Sequence, residues 1–182
     1  MARQRTRMLV HAAVLEIASD LGFATVSMEG IAARAGVSKQ TLYRNWPTTG
    51  AILFDALLAL STNEYGAVVV RDSGDLRADL EDLVEGSIAQ LTDPTHDRLL
   101  RAVTAAIQTD TALADEFHDR LLLPQLDAVV ERLRSDGIDS PDEAAELLLG
   151  PVVHRWLLRT GPFEAAWVER HVHRVLAATH YV

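Results

Sequence analysis

Apolar residues recur along this chain at the three- and four-residue spacing of amphipathic α-helices, and strict alternation of apolar and polar residues is nearly absent. The pattern predicts a first helix over about residues 6–21 and a fourth, long helix over about 49–69. Beyond residue 75 it predicts five further amphipathic helices, one of them kinked or split at Pro124. The sequence therefore predicts an all-α protein of about nine helices.

The stretch from Val26 to Trp46 has the pattern of two short helices joined by a tight turn. Ser27 and Ser38 are suited to cap the two helices, because a serine hydroxyl accepts a free backbone N–H at a helix start. Gly36 is suited to end the first helix, since glycine tolerates positive φ. Apolar side chains occupy one side of the second helix, and the other sides carry Lys39, Gln40, Thr41, Tyr43, Arg44 and Asn45. An exposed face of hydrogen-bond donors with few acids is what a helix lying on DNA requires.

A short polar segment divides the chain. Residues 71–75 contain Asp-Ser-Gly-Asp, a composition typical of loops. We therefore expect an N-terminal domain over 4–64, with the helix-turn-helix at 27–46, and a C-terminal domain over 75–182.

Charge is unevenly distributed along the chain, which has a formal net charge of −9. Residues 1–46 hold six basic and three acidic side chains, a net charge of +3, and the remainder is −12. A basic N-terminal region on an acidic body is associated with nucleic-acid contact, although acidic bodies are common. Arg3, Arg5 and Arg7 precede the predicted first helix, either as a solvated tail or as an arm that folds onto DNA.

Other classes of function find little support. The chain has no cysteine, no signal-peptide pattern and no apolar run long enough to span a bilayer, so we expect a cytoplasmic protein without membrane contact. His171 and His173 lie two apart on a predicted helix and point about 200° from each other, which prevents them from chelating one ion. No phosphate-binding loop or nucleophile elbow is present. We expect no metal, no cofactor and no catalytic residues.

Three motifs in order carry a family resemblance: Phe23-Ala-Thr-Val-Ser-Met28, Ile31-Ala-Ala-Arg-Ala-Gly-Val-Ser38 and Thr41-Leu-Tyr-Arg-Asn-Trp-Pro47. With them the chain resembles the tetracycline-repressor-like (TetR) transcriptional regulators over about residues 4–64. The resemblance implies an all-α homodimer with a three-helix DNA-binding head and a helical body for ligand binding and dimerisation. A weaker match in the body follows Leu147-Leu-Leu-Gly-Pro-Val-Val153 and Arg155-Trp-Leu-Leu-Arg-Thr-Gly-Pro162.

The resemblance also implies roles in DNA contact. Phosphate contacts fall on Ser38, Thr41, Tyr43 and Asn45, and the side chains nearest base edges are Lys39, Gln40 and Arg44. Gln40 stands where the family often has a small residue and either pairs with adenine or adds no specificity, while Arg44 reads guanine or grips phosphate. Thr48 and Thr49 replace a lysine that the family often places near the next helix start, so Thr49 and the helix N-terminus would receive a phosphate instead. Arg3 and Arg5 complete the expected contacts.

The last two predicted helices are apolar on more than one side, and such helices must be covered on both. A second copy of the chain supplies that cover in a two-fold four-helix bundle, which predicts a palindromic operator of double-stranded DNA. The expected dimer interface consists of Leu148, Val152, Trp156, Trp167, Val168, Val172 and Val175.

A small-molecule effector is expected in the body. The residues expected to line its pocket, each of which is otherwise ordinary core, are Leu83, Ser87, Leu91, Val103, Ile107, Phe117, Leu121, His154 and Leu157. The pattern and the resemblance together predict a homodimeric transcriptional regulator, and the resemblance implies a repressor that an effector releases from its operator. The alternatives are an all-α small-molecule carrier or enzyme that has lost DNA binding, and a structural adaptor, but neither requires the face between Ser38 and Asn45.

Overall fold

The computed structural model describes residues 2–22, 25–61 and 70–179, and helices form nearly all of its regular structure. The helices are α1 (Ala2–Leu21), α2 (Met28–Ala35), α3 (Lys39–Asn45), α4 (Thr49–Ser61), α5 (Leu76–Thr92), α6 (Pro94–Ala106), α7 (Thr111–Phe117), α8 (Leu123–Ser135), α9 (Pro141–Leu158) and α10 (Ala165–Thr179). A π-helical turn, His118–Leu122, joins α7 to α8 without a break, which leaves nine continuous helical segments in the described part of the chain. The all-α prediction is therefore confirmed. No helix in these ranges has both the length and the apolar character needed to cross a membrane.

The N-terminal arginines lie inside a helix, which corrects the expectation of a tail or arm before it. Helix α1 begins at Ala2 and carries Arg3, Arg5 and Arg7 in its first two turns. Arg7 donates to Asp55 of α4, so at least one of the three arginines holds the fold together. The remainder of the predicted fourth helix, residues 62–69, and the motif residue Phe23 lie outside the described residues.

The chain packs into two units. The first draws its described residues from 1–62 and 94–118, and the second from 63–93 and 119–182. Helices α6 and α7 thus pack with α4, as shown by the rings of Phe54 and Phe117, whose centroids are 5.8 Å apart. The packing differs from the expected division into 4–64 and 75–182, because apolar residues of α4 are covered by helices that follow much later in the sequence.

The second unit is built from α5, α8, α9 and α10, which pack around one apolar core. Leu80 and Val84 of α5 are fully buried there, as are Leu148 of α9 and Val172 of α10. The core also contains a charged pair. Arg132 Nη2 lies 2.9 Å from Asp79 Oδ2, and both side chains are less than 5% exposed.

The expected dimer interface needs correction, because its members are covered within one protomer. Leu148, Val152, Val168, Val172 and Val175 belong to the core of the second unit. Trp156 is 5% exposed, and Trp167 is half-buried and packed against that core. Six of the seven side chains are therefore buried within their own chain, and Trp167 alone among them is partly exposed.

A different face of α9 is exposed. Four large apolar side chains on it, Leu147, Val153, Leu157 and Leu158, are 40–60% exposed. Gly150, Pro151 and His154 are exposed between them at helical spacing. We call these seven residues the α9 face. His154 and Leu157, which the sequence placed in a ligand pocket, therefore lie on a surface of the protomer.

The body motif around Arg155 shapes the turn between α9 and α10. Arg155 Nη1 donates to the carbonyl oxygen of Pro162 at 2.7 Å, and the guanidinium lies 4.9 Å from the ring centroid of Trp167. Trp167 stacks on the buried His171, whose Nε2 lies 2.7 Å from the carbonyl oxygen of Leu148. His171 is thus a core residue. Within the described ranges, no three His, Cys, Asp or Glu side chains form a group that could hold a metal ion.

Candidate nucleic-acid interface

Local capping interactions form the first helix of the helix-turn-helix. Ser27 Oγ accepts the backbone N–H of Gly30 at 3.1 Å and caps α2. Gly36 ends the helix in the left-handed conformation, with φ of 65°, and Val37 donates its N–H to the carbonyl of Ala32. Because a side chain at positive φ is strained, this turn requires glycine.

Helix α3 is capped at its start and stopped at its end. Ser38 Oγ accepts the Thr41 N–H at 3.1 Å and lies 2.9 Å from Thr41 Oγ1. Trp46 follows the last residue in an extended conformation and donates its backbone N–H to Leu42. Pro47 then disfavours further helix. The side chains of Ser38 and Thr41 are therefore engaged with each other at the helix start.

One face of α3 is exposed and polar. Leu42 on the inner side is fully buried, whereas Lys39, Gln40, Tyr43 and Arg44 are exposed at positions i, i+1, i+4 and i+5. We call these four residues the α3 face. They are the members of the expected DNA-contact set that the structure brings together on one surface.

The other expected DNA contacts differ in their exposure to solvent, and Ser38 and Asn45 are exposed. Thr41 and Thr49 are half-buried, and Asn45 Nδ2 donates to the carbonyl oxygen of Thr41 at 2.6 Å. Arg5 is exposed on α1. Arg3 belongs to the same helix, but its side chain lies outside the described set.

Lys39 is held by an acid of the neighbouring helix. Lys39 Nζ lies 3.0 Å from Glu29 Oε1, and both side chains are more than half exposed. The hydrogen bond from Lys39 lowers the pKa of Glu29. The sequence alone does not indicate this ion pair, because two residues ten apart across a turn leave no local pattern.

We expect the substitution Glu29→Gln to tighten DNA binding. It frees Lys39 from a carboxylate that competes with phosphate, and an exposed ion pair of this kind corresponds to about two- to fivefold in affinity per site. The measurement is the dissociation constant on duplex DNA at low salt. Glu85→Gln, an exposed acid in α5, is the matched control for net charge. Equal affinities for the two variants would show that Glu29 does not compete for Lys39.

Asp55 of α4 contacts both α1 and Trp46, the residue that follows α3. Its carboxylate accepts hydrogen bonds from Arg7 at 2.7 and 2.9 Å and from Trp46 Nε1 at 3.1 Å, and His11 Nε2 lies 2.9 Å away. Burial raises the pKa of Asp55, but the hydrogen bonds from His11 and Arg7 outweigh that effect and lower it to about 2. The carboxylate is therefore ionised at neutral pH and compensates the positive charge of Arg7. No sequence pattern points to this group, since Arg7 and His11 lie 48 and 44 residues before Asp55.

Two short helices joined by a left-handed glycine, with a capped second helix and a polar outer face, define a helix-turn-helix DNA-binding regulator. Comparison with known proteins gives the family. Residues 10–56 match the model described as bacterial regulatory proteins of the tetR family, and residues 70–175 match the tetracyclin repressor-like C-terminal domain. The chain belongs to the TetR family of transcriptional regulators, which confirms the resemblance seen in its motifs.

Individual relatives match this chain over most of their length. The chain is 30% identical over 186 residues to the DNA-binding transcriptional repressor TetR of Mycobacteroides abscessus, covering 96% of this chain and 94% of that one. It is 28% identical over 162 residues to the HTH-type transcriptional regulator YdeS of Bacillus subtilis, covering 81% and 78% of the two chains. Among solved structures, the TetR family regulator SCO0332 is 30% identical with a TM-score of 0.71, covering 94% of this chain and 97% of that chain.

Proposed function

We propose that this DNA-binding regulator is a homodimeric repressor that binds a palindromic operator and is released by a small-molecule effector. The exposed α3 face is the observation that carries the proposal, because its donors and aromatic ring suit the major groove. The name of the Mycobacteroides abscessus relative supports repression as the direction of control. The relatives are transcriptional regulators, and we propose no catalytic role for this chain.

Within the α3 face we assign base reading to Gln40 and Lys39 and phosphate contact to Tyr43 and Arg44. A glutamine side chain pairs with adenine N6 and N7 in the major groove. The backbone and side chains at Ser38, Thr41, Asn45 and Thr49 contact the phosphates that flank the groove, and Arg3 and Arg5 reach the backbone from α1. Because such contact requires chromosomal DNA, we propose that the protein acts in the cytoplasm.

The proposed homodimer uses the α9 face. Leaving four large apolar side chains in water is unfavourable, and a second α9 related by a two-fold axis would cover them. Gly150 supports this assignment. A Cβ atom placed there meets nothing within 4 Å, so the packing of the protomer does not require a glycine in the middle of this helix. Close approach of a second helix would require a small residue at this position. Such an approach would account for the presence of a glycine, which weakens an isolated helix.

The proposed effector site is in the body, and its expected lining residues fall in both units. Leu83, Ser87 and Leu91 of α5 are half-buried, and Ser87 Oγ donates to the carbonyl of Leu83. Leu121 is buried and belongs to the second unit, whereas Val103, Ile107 and Phe117 belong to the first unit. We propose the half-buried α5 residues as effector contacts. A ligand bound there would act by stabilising a state of the dimer that no longer spans both half-sites.

Substitution of Gln40 by alanine tests the reading of bases. We expect Gln40→Ala to weaken binding to a duplex selected by the wild-type protein by about 1–3 kcal/mol and to relax discrimination at one base pair per half-site. Arg44→Ala is the comparison variant. It should weaken binding to all sequences equally and reduce the salt dependence by about one phosphate per protomer. The measurement is the dissociation constant on the selected duplex and on its single-base variants.

The affinities of the Gln40→Ala protein for different DNA sequences decide whether Gln40 reads a base or contacts phosphate. A Gln40→Ala protein that loses affinity equally for every duplex would assign Gln40 to phosphate contact. A wild-type protein that binds no duplex at low salt would favour the small-molecule carrier.

A further inference from the structure

We infer that Asp55 is a positioning residue for DNA recognition, whose carboxylate fixes the end of α3 against α1. The inference rests on the proposed role of α3 as the helix that reads DNA. Asp55 lies on α4 with 16% of its side chain exposed, and it would contact no base or phosphate itself.

The contact with Trp46 fixes the end of the recognition helix. Trp46 is the residue that immediately follows α3, and its backbone N–H closes the last turn through the carbonyl of Leu42 at 2.9 Å. Its indole N–H donates to Asp55 Oδ2 at 3.1 Å, and its side chain is buried. Movement of this indole would therefore move the last turn of α3, which carries Tyr43 and Arg44.

The contact with Arg7 extends the same arrangement to α1. Arg7 forms a two-point contact, with Nη2 2.7 Å from Oδ1 and Nε 2.9 Å from Oδ2. Paired contacts of this kind restrict both distance and orientation. His11, one turn further along α1, lies 2.9 Å from the same Oδ2. One carboxylate thus aligns the N-terminal half of α1, with its exposed Arg5, and the end of α3.

The opposite charges of Asp55 and Arg7 affect specific and non-specific DNA binding differently. While Asp55 is ionised, it neutralises Arg7 and keeps that side chain away from phosphate. Replacing Asp55 by asparagine would release a positive charge near DNA and would also loosen α3. Non-specific binding depends on charge, whereas specific binding depends on the placement of α3. The two kinds of binding should therefore change in opposite directions.

The test compares Asp55→Asn with wild-type protein on two probes, a duplex selected by the wild-type protein from a random pool and an unrelated duplex of equal length. We expect Asp55→Asn to bind the selected duplex about tenfold more weakly and the unrelated duplex at least as tightly, because a hydrogen bond to a charged group has been lost while a cation has been freed. Trp46→Phe keeps an aromatic ring but removes the indole donor, and it should reproduce the loss on the selected duplex. Arg7→Gln keeps the indole contact and should show a smaller loss.

A second readout does not depend on DNA. In ¹H–¹⁵N spectra of the intact protein, Asp55→Asn should shift the indole signal of Trp46, assigned through its absence in Trp46→Phe, and the backbone amide signals of residues 43–46. Folded variants that retain the wild-type ratio of affinities, or an indole signal that does not move, would overturn the inference. If the wild-type protein selects no duplex, the proposed operator binding fails, whereas the spectra still decide the role of Asp55.

Discussion

Substitution of Arg132 by alanine is expected to lower the melting temperature by roughly 10 °C, because removal of one partner from a buried ion pair leaves the other charge uncompensated. Asp79 is 1% exposed and accepts from Arg132 Nε and Nη2 at 3.2 and 2.9 Å. Its other oxygen, Oδ1, already has no hydrogen-bond partner among the described residues. The backbone N–H of Ser73 also donates to Oδ2 at 3.0 Å, but it is neutral and cannot replace the positive charge of the guanidinium.

Arg134→Ala is the matched control for this prediction. Arg134 lies two residues further along α8 and pairs with Glu131 on the surface, where both side chains are more than half exposed. Exposed ion pairs contribute little, so the melting temperature of this variant should stay within about 2 °C of wild type. Thermal unfolding followed by circular dichroism measures both variants. Equal, small effects would show that the buried pair does not hold α5 to α8.

The same carboxylate predicts sensitivity to acid. Hydrogen bonds from Ser73, followed in effect by those from Arg132, lower the pKa of Asp79 to about 2, against opposing burial. A lowered pKa in the folded state means that the stabilisation is complete above the ordinary pKa and is lost as the pH falls from about 4 through 2. Asp79→Asn cannot titrate. Its melting temperature, lower at neutral pH, should therefore fall less steeply than that of wild type over this range.

Substitution of Leu157 by glutamate is expected to convert the proposed dimer into monomers and to weaken operator binding by about a hundredfold or more. A two-fold interface receives the substitution twice, and a carboxylate buried against apolar side chains is strongly unfavourable. A monomer also loses the second half-site, which acts at high effective concentration once the first is bound. Leu157 is 40% exposed at the C-terminal end of the α9 face.

Leu123→Glu provides the control, since Leu123 has nearly the same exposure, 39%, but lies on α8. Sedimentation at micromolar concentration should find this variant dimeric and Leu157→Glu monomeric, with both fully folded. A dimer that survives Leu157→Glu would place the interface elsewhere. Monomeric wild-type protein would remove the dimer from the proposal.

The helix-turn-helix was predictable because its determinants are local. Ser27 and Ser38 each accept a backbone N–H from the residue three positions further along the chain. Gly36 supplies the left-handed position that the turn needs. Each of these interactions acts within one helical turn and leaves a readable pattern. The predicted motif therefore agrees with the observed one nearly residue by residue.

The ion pairs beneath the surface could not be predicted in this way. Arg7 and Asp55 are 48 residues apart, and Asp79 and Arg132 are 53 apart. Such pairs depend on how whole helices pack, and a single sequence contains no spacing rule that connects them. Seen alone, each of the four is an ordinary charged residue on an amphipathic helix.

The residues expected at the dimer interface show a second limit of prediction from sequence. Helix α9 is apolar on two sides, and the sequence predicts that both need cover. It does not say which side faces the same chain, because Leu148 and Leu147 have the same chemistry. That choice follows from packing with α5, α8 and α10, which buries Leu148 completely and leaves Leu147 49% exposed.

The most direct test of the central claim is the symmetry and stoichiometry of the DNA that the protein selects from a random duplex pool. The proposed function predicts enrichment of an inverted repeat, with half-site centres about one helical turn or a multiple of it apart, bound by two protomers or a multiple of two. It also predicts that the enrichment disappears when Gln40 and Arg44 are both replaced by alanine. Failure to enrich any sequence at low salt, or enrichment of an asymmetric site bound by one protomer, would contradict the account.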